Sequence, residues 1–322
     1  MPVRTATPSG PAAVRGPAFP GSGPRRRRRR GPARAGLAHF AGFAAPGVLV
    51  YACFVLAPIA VSLGYSLTNA NPFNPPIRYV GPQNYWMLVR DEQFLTALRV
   101  TTILTVIVVI VPNLLGLLVA LLLDRSGKLY NAMRSVFFTP MILSSVVVSV
   151  VWTRLLDTDG PLNRALRALG VDHPPNWLSD PAYAPYSVAS IISWQMLGFC
   201  VVVYLAGLQG IPVELQEASA IDGAGAFHRF RAVTWPLLAG SLTINTVVLL
   251  ISAFKTYDYI KVITNGGPGA GTTATIAFNV LQTGFDANHV GYASAMAITM
   301  LAIVCVTTAV ALRILRRREI EL

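Results

Sequence analysis

Long runs of apolar residues are the feature that most restricts what this chain can fold into. Of its 322 residues, 53% are hydrophobic and only 12% carry a charge. Several runs exceed the roughly 18–20 residues that a helix needs to cross a bilayer, and they are apolar on all sides rather than along one stripe. Because lipid offers the backbone no hydrogen-bond partner, each such segment must satisfy its own N–H and C=O groups as a helix. The sequence therefore predicts an all-α polytopic membrane protein.

The apolar runs define six predicted transmembrane helices. Their bounds are Phe40–Leu67, Leu98–Leu123, Met133–Leu156, Tyr186–Leu208, Val233–Phe254 and Val290–Leu315. The corresponding division of the chain is a tail at 1–38, a first helix within 39–68, a transmembrane domain at 97–315 with a polar loop at 211–232, and a C-terminal tail at 316–322.

Lys and Arg are shared unevenly between the two faces that six spans create. The face that holds both termini and the loops around 124–132 and 211–232 carries 18 Lys and Arg against 6 Asp and Glu, whereas the opposite face carries 8 of each. Positive loops remain in the cytoplasm, so both termini are predicted to be cytoplasmic. The tail decides this comparison, because without it the count of Lys and Arg is nearly equal on the two faces.

The tail, residues 1–38, is rich in Pro, Gly and Ala and contains the run Arg25–Arg30. It has too few apolar residues to form a core, so we predict that it is disordered. A basic run is compatible with nucleic-acid binding, but its position next to the first span favours anionic lipid headgroups. We therefore expect membrane lipid, and no nucleic acid, as its partner. The apolar run that follows is longer than the 7–15-residue core of a signal peptide, so the first span is expected to be retained.

Residues for catalysis or metal binding form no recognisable pattern. Cys53, Cys200 and Cys305 all fall inside predicted spans, and the four histidines are far apart in sequence. Neither set has metal-ligand spacing, no phosphate-binding G-x-x-x-x-G-K-[ST] loop is present, and no nucleophile–base pair can be proposed. We expect no enzyme activity and no cofactor bound by this chain, so any energy for transport must come from another subunit.

The polar loop 211–232 has the features of a short helix followed by a turn. Pro212 suits the first helical position, and Glu214 and Glu217 suit the first turns, where the helix dipole favours negative charge. Gly223 and Gly225 then permit a turn. Small residues at 218–220 would let another protein approach the backbone, and Phe227 and Phe230 are spaced to share a face. These features fit both a docking helix and a helix that merely connects two spans.

The segment Glu217–Pro236 resembles the EAA motif of binding-protein-dependent ABC importer permeases, E-A-A-x3-G-x9-I-x-L-P. Residues 217, 218, 223 and 236 match it in identity and spacing, Val233 is a conservative replacement, and Ser219 and Trp235 depart from it. The wider pattern around Asp222 resembles the carbohydrate-uptake branch. Four further segments resemble sugar permeases in family order: Gly81–Leu98, Ala206–Pro212, Thr264–Pro268 and Thr283–Phe285.

The resemblance implies the transmembrane domain of a type I ABC importer in a bacterial cell membrane. Its EAA loop would form a coupling helix that docks on a cytoplasmic ABC ATPase dimer, which uses ATP and Mg. The other implied partners are a second homologous permease subunit and an extracytoplasmic solute-binding protein. Glu217 would be the charge contact, Ala218 and Ser219 would allow close packing, and Gly223 would set the turn. The predicted coupling residues are Glu217, Ala218, Ser219, Asp222 and Gly223.

Polar residues inside or at the edge of spans are candidates for a solute path, because burying them in lipid is unfavourable. They are Trp194, Gln195, Asn245, Lys255, Tyr257 and Asp258. An aromatic ring beside hydrogen-bonding groups suits a sugar. Two alternatives stay open: Trp194 facing lipid, and a Lys255–Asp258 ion pair at helical spacing.

Two other function classes fit a helical membrane protein. A secondary transporter often has inverted repeats, and no convincing repeat relates the halves of this chain. A membrane-embedded enzyme would need clustered catalytic residues, which are absent. Within the importer class, a neutral sugar is favoured, and glycerol phosphate or another small solute is the alternative.

Overall fold

The computed structural model describes residues 32–125, 127–269 and 271–317. Most of the predicted basic tail, including Arg25–Arg30, and the last five residues lie outside this part of the chain. Within it the protein is almost entirely helical, and the only β pairing is a single bridge between Thr68 and Tyr79. The chain divides into two units after Phe54.

The described residues form fourteen α-helices. They are α1 (Pro32–Tyr51), α2 (Ala57–Ser66), α3 (Gln83–Leu88), α4 (Glu92–Leu123), α5 (Lys128–Ile142), α6 (Ser145–Leu155), α7 (Pro161–Ala168), α8 (Ala184–Gln209), α9 (Val213–Ile221), α10 (Ala226–Arg229), α11 (Trp235–Leu237), α12 (Ala239–Phe254), α13 (Ile276–Leu281) and α14 (Val290–Arg316). Four π-helical segments join or extend them: Ala52–Leu56, Phe230–Thr234, Ile260–Thr264 and Gln282–Asp286.

Six spans are present when each bent helix pair is counted as one. Four are unbroken: Gly42–Ser66, Glu92–Leu123, Ala184–Gln209 and Val290–Arg316. Two are bent pairs, α5 with α6 and the segment Ala226–Leu237 with α12. The predicted all-α fold with six spans is therefore confirmed.

Two helices begin earlier than the apolar runs suggest. Helix α1 starts at Pro32, within the predicted disordered tail, because proline suits the first helical position and alanines continue the helix. Helix α4 starts at Glu92 rather than Leu98, because the side chain of Asp91 accepts a hydrogen bond from the backbone N–H of Gln93 at 2.9 Å. That cap lets the helix extend into polar sequence ahead of the span.

The third span is not one straight helix, so the prediction of a single helix over Met133–Leu156 is wrong. Helices α5 and α6 meet at an angle of 99°. Leu143 is extended, with φ −71° and ψ 144°, and the hydroxyl of Ser144 accepts from the backbone N–H of Val147 at 3.3 Å. Ser144 thus starts a new helix, and Pro140 at the end of α5 cannot donate a helical hydrogen bond.

The fifth span is also bent, by 59° between the segment ending at Leu237 and helix α12. Its predicted start, Val233, lies inside a π-helical segment, and the straight helix begins only at Ala239. Pro236 lies within α11 and lacks a backbone N–H, so the regular hydrogen bonding of the helix is interrupted just before the bend.

Helix α8 is the most buried span: 61% of its most apolar stretch is buried, against 33% or less in the other unbroken spans. Glycines let its neighbours approach closely. A Cβ atom at Gly116 of α4 would lie 2.6 Å from Cβ of Cys200, and Cβ atoms at Gly198 and Gly207 would overlap the Phe137 carbonyl oxygen and the Ser241 side chain. Such contacts through small residues are the usual way in which membrane helices pack.

Candidate functional site: coupling segment and polar path

The segment that carries the EAA-like residues is a helix with no buried residue. Helix α9 follows Pro212, which occupies the N-cap position rather than the first helical position expected from the sequence. Glu217 and Ala218 are exposed, and the half-buried Ser219 donates its hydroxyl to the backbone oxygen of Gln216 at 2.8 Å. A helix in which no residue is covered by its own chain leaves its surface available to another protein.

The end of α9 is fixed by Gly223. This residue has φ +76°, and its N–H donates to the oxygen of Ala220 at 3.1 Å. The N–H of Ala224 donates to the oxygen of Ser219 at 3.0 Å. These two bonds form a Schellman cap, which satisfies carbonyl groups that would otherwise lack a partner. The predicted turn at Gly223 is therefore present, and Asp222 lies at its C-cap position.

A groove of about 470 Å³ borders this turn. Asp222 and Gly223 line one side and His228 and Val233 the other. The expected common face of Phe227 and Phe230 is not formed, because the ring of Phe230 packs 6.2 Å from that of Trp235 while Phe227 is 76% exposed.

Gln195 lies at the break between α5 and α6. Its side-chain N–H donates to the oxygen of Leu143 at 2.8 Å, and its side-chain oxygen accepts from the hydroxyl of Tyr259. Helix interruption leaves the Leu143 carbonyl without a helical partner, and Gln195 supplies one. This predicted path residue therefore joins α8 to the broken span and to the segment after α12.

Asp258 lies at the same break. Its carboxylate accepts from the hydroxyl of Ser145 at 2.7 Å, at the first residue of α6. Helix α12 ends at Phe254, so Lys255 and Asp258 are not on a continuous helix. Within the described residues the only salt bridge joins Arg167 to Asp159, and the alternative of a Lys255–Asp258 ion pair is wrong. Lys255 is exposed.

Two of the predicted path residues pack on aromatic rings. Trp194 lies edge-to-face against Trp152 of α6, with ring centroids 5.4 Å apart. Tyr257 stacks on Phe278 at 6.1 Å, and the Lys261 ammonium lies 5.8 Å above the same ring. The side chain of Trp194 therefore contacts another span on at least one side.

Asn245 is not brought to this cluster. It is fully buried in α12 and donates to the Cys200 oxygen of α8 at 3.5 Å. Its side-chain oxygen has no protein partner. A second polar contact, between the Tyr204 hydroxyl and Asn113 at 2.8 Å, joins α8 to α4. Asn245 thus belongs with the polar contacts between buried helices.

The sequence did not predict a role for three residues that contact the candidate path residues: Ser145, Trp152 and Tyr259. All lie within apolar or mixed stretches, and no local pattern marks them. The one available signal was the Ser144–Ser145 pair in the middle of an apolar run, since serines there favour a helix start.

Comparison with known proteins agrees with this architecture. The model of the family described as "Binding-protein-dependent transport system inner membrane component" matches residues 112–320. The chain is 31% identical over 283 residues to the "Probable starch degradation products transport system permease protein AmyD" of Thermoanaerobacterium thermosulfurigenes, covering 87% of this chain and 94% of that protein. It is 30% identical over 279 residues to the "sn-glycerol-3-phosphate transport system permease protein UgpA" of Agrobacterium fabrum, covering 85% and 93%.

A solved structure has the same fold. It is the crystal structure of a bacterial alginate ABC transporter in complex with an alginate pentasaccharide-bound periplasmic protein, matched with a TM-score of 0.75 at 22% identity over 88% of this chain and 96% of that one. The family match extends over most of the spans and includes the whole coupling segment. The chain therefore belongs to the inner membrane components of binding-protein-dependent transport systems, the permease subunits of ABC importers.

Proposed function

We propose that this permease imports a neutral sugar and is driven by a separate cytoplasmic ATPase that docks on helix α9. The observation that carries the proposal is that α9, which contains the first residues of the EAA-like segment, has a Schellman cap at its C-terminal end and has no residue that is buried by its own chain. Its Schellman cap fixes the direction of the chain at Gly223. A rigid, exposed helix of this kind is suited to transmit a movement.

The surface of α9 supports a contact with mixed chemistry. Glu217 offers a negative charge, and Ala218 and Ser219 are small enough to let a partner approach the backbone. Ile221 at the end of the helix is 85% exposed. Charged and apolar groups side by side favour a specific protein partner, because the apolar groups supply burial and the charge selects its complement. ATP and Mg would be bound by that ATPase dimer.

The remaining partners are proposed from the family to which the chain belongs. A second homologous permease subunit would complete the pathway, and an extracytoplasmic solute-binding protein would deliver the solute. The family description names dependence on a binding protein, and the alginate transporter of similar fold was crystallised with its periplasmic protein. The proposed orientation places α9 and both termini in the cytoplasm.

A neutral sugar is favoured over glycerol phosphate by the residues around the α5–α6 break. Aromatic rings at Trp152 and Trp194 pack together between α6 and α8, and amide, hydroxyl and carboxylate groups meet at the break itself. Rings cover the apolar face of a sugar and the polar groups bind its hydroxyls. Glycerol phosphate is the second candidate because the chain is as similar to a glycerol-phosphate permease as to a starch-product permease.

Uptake by the reconstituted importer tests the proposal. Proteoliposomes holding both permeases and the ATPase, with ATP on the ATPase side and the binding protein outside, are expected to accumulate maltotriose or trehalose, and vanadate should stop uptake. Accumulation of glycerol 3-phosphate but neither sugar would select the second candidate. Uptake that follows an ion gradient without ATP would instead indicate a secondary transporter.

Charge reversal at Glu217 tests the coupling contact. We expect Glu217→Arg to lower ATP-dependent uptake at least tenfold, because like charges brought together at a docking contact cost several kcal/mol. Membrane insertion and expression should stay normal, since the side chain is exposed. Asp172→Arg, a charge reversal at an exposed carboxylate far from α9 in the sequence, is the control and should retain most uptake. Normal uptake by Glu217→Arg would contradict the docking assignment.

A further inference from the structure

A polar cavity of about 350 Å³ lies at the C-terminal end of α6, away from the coupling segment. Three stretches of chain form its walls. The first is the end of α6 with the following turn, Thr153–Thr158. The second is Asn176–Ser179, before α8. The third is Ile263–Pro268, the end of the third π-helical segment with the turn after it.

The side chain of Asn163 holds the first two walls together. This residue is only 1% exposed. Its amide N–H groups donate to the Thr158 oxygen at 3.1 Å and the Pro175 oxygen at 3.4 Å, and its oxygen accepts from the indole N–H of Trp177 at 2.8 Å. A buried side chain with this many partners fixes the wall in place.

The third wall is fixed by Gly267. It has φ +112°, and a Cβ atom there would lie 2.6 Å from the backbone nitrogen of Thr273. Only glycine fits both the conformation and the space. Asn163 therefore holds the first two walls of the cavity in place, and Gly267 holds the third.

The groups that line the cavity match the surface of a sugar. Trp177 supplies an aromatic ring whose N–H is already bonded. The carboxylate of Asp157 accepts only from the Thr158 N–H, and the side-chain N–H groups of Asn176 and the hydroxyl of Ser179 make no hydrogen bond within the described residues. A free carboxylate oxygen, free amide donors and a hydroxyl beside a ring are the groups that bind sugar hydroxyls and the apolar sugar face.

The lining contains Asp157 and no Lys or Arg. The Arg167 guanidinium donates to the oxygen of Thr158 but is paired with Asp159. No cation in the lining is therefore available to bind a phosphate, so the chemistry favours a neutral ligand. The volume lies at the lower end of the about 300–1,000 Å³ range of small-molecule sites, which fits one or two sugar rings.

We infer that this cavity is a carbohydrate subsite that the solute occupies before it reaches the α5–α6 break. Thr153 of the cavity follows Trp152, whose ring packs on Trp194, and α6 runs from there back to the Ser145–Asp258 contact. With the proposed orientation this end of α6 is extracytoplasmic. The inference rests on the proposed sugar import.

Saturation-transfer NMR on the complete importer in lipid nanodiscs, without binding protein, tests the subsite. Maltotriose and trehalose are the probes. Wild type is expected to transfer saturation to protons of at least one of them. Asn176→Ala removes an amide, and Asp157→Asn removes the charge and one acceptor oxygen, while both keep the Asn163–Trp177 bond. Each should weaken binding about fivefold to tenfold. Asp172→Asn, an exposed carboxylate in the same connection but outside the cavity, is the control and should bind as wild type.

Each other outcome overturns the subsite. Equal binding by wild type and both cavity variants would do so, as would the absence of any transfer to either sugar. Unchanged sugar binding by both variants, together with weaker association of the solute-binding protein in a separate pull-down with the nanodiscs, would assign this surface to protein docking instead. Sugar uptake by wild type is measured separately, so a failure of the subsite is distinguishable from a failure of the proposed function.

Discussion

Gly223 combines a position in a motif with a backbone conformation that other residues avoid. Its φ of +76° places it in the left-handed region, and a Cβ atom there would meet nothing within 4 Å. A lack of space therefore does not explain why position 223 needs glycine. The requirement is conformational, since an L-residue in this region is disfavoured by roughly 1–2 kcal/mol, with Asn the best tolerated.

We predict that Gly223→Val lowers ATP-dependent uptake strongly, Gly223→Ala less and Gly223→Asn least. The reason is that valine would be the most strained of the three at this positive φ and asparagine the least strained. The matched control is Gly225→Ala. Gly225 also has open space around it but has φ −64°, so its substitution should leave uptake near wild type. Initial rates of uptake, corrected for expression, give the comparison. Equal loss at both positions would contradict a conformational role for Gly223.

At the scale of single residues, the sequence predicted the coupling segment better than the path. The spacing from Glu217 to Gly223 is local, and a helix followed by a turn needs only local bonds. Gln195 was predicted as a path residue from its polarity, but its partners, Leu143 and Tyr259, are distant in sequence. No pattern reveals which carbonyl a helix break leaves free.

Among the elements, α8 is held to three neighbours through glycine contacts. Gly198 meets the backbone of α5, and its Cβ would overlap the Phe137 oxygen and lie 3.1 Å from the Phe138 Cα. Backbone atoms cannot move aside as a flexible side chain can, so the two helices would have to separate.

We predict that Gly198→Ala lowers thermal stability in detergent by about 1–3 kcal/mol, the usual effect of overpacking. Gly240→Ala on α12 is the control, because a Cβ atom there meets nothing within 4 Å and alanine favours a helix by about 1 kcal/mol over glycine. Fluorescence-detected size-exclusion chromatography after heating measures both. A stability of Gly198→Ala equal to wild type would show that α5 and α8 separate without loss.

The sequence predicted the number of membrane spans but not where the helices within them begin and end. Six apolar runs predicted six spans because lipid imposes helices regardless of tertiary contacts. The 99° bend at Leu143 was not predicted, since the run Met133–Leu156 is mostly apolar and long enough to cross as one helix. The bend depends on Gln195 and on the cap at Ser144, and only the first of these lies outside the run.

Over the whole molecule, the distribution of Lys and Arg predicts which face is cytoplasmic. Without the N-terminal tail, however, the loops differ little in their number of Lys and Arg. Two exposed leucines test the orientation: Leu129 at the start of α5, predicted to be cytoplasmic, and Leu169 after α7, predicted to be outside. Both are well exposed, at 69% and 81%. The two residues are therefore predicted to lie on opposite faces of the membrane.

We predict that in intact cells a membrane-impermeant maleimide labels Leu169→Cys and not Leu129→Cys, and that it labels both after the membrane is opened. The three native cysteines are first replaced by alanine, since Cys53 and Cys305 are exposed. Labelling of Leu129→Cys alone in intact cells would reverse the orientation and remove α9 from the reach of a cytoplasmic ATPase.

The glycine contacts of α8 also limit how the molecule can change shape. Where atoms of one helix pack directly on a glycine backbone of another, a helix cannot turn about its axis without displacing its neighbour. Through Gly116, Gly198 and Gly207, this constraint ties α8 to α4, to α5 and to α12. Conformational freedom is then left mainly to the points where hydrogen bonding is already interrupted, near Leu143 and near Leu238. An inward-to-outward transition would therefore be measured as changes in two bend angles rather than as sliding between helices.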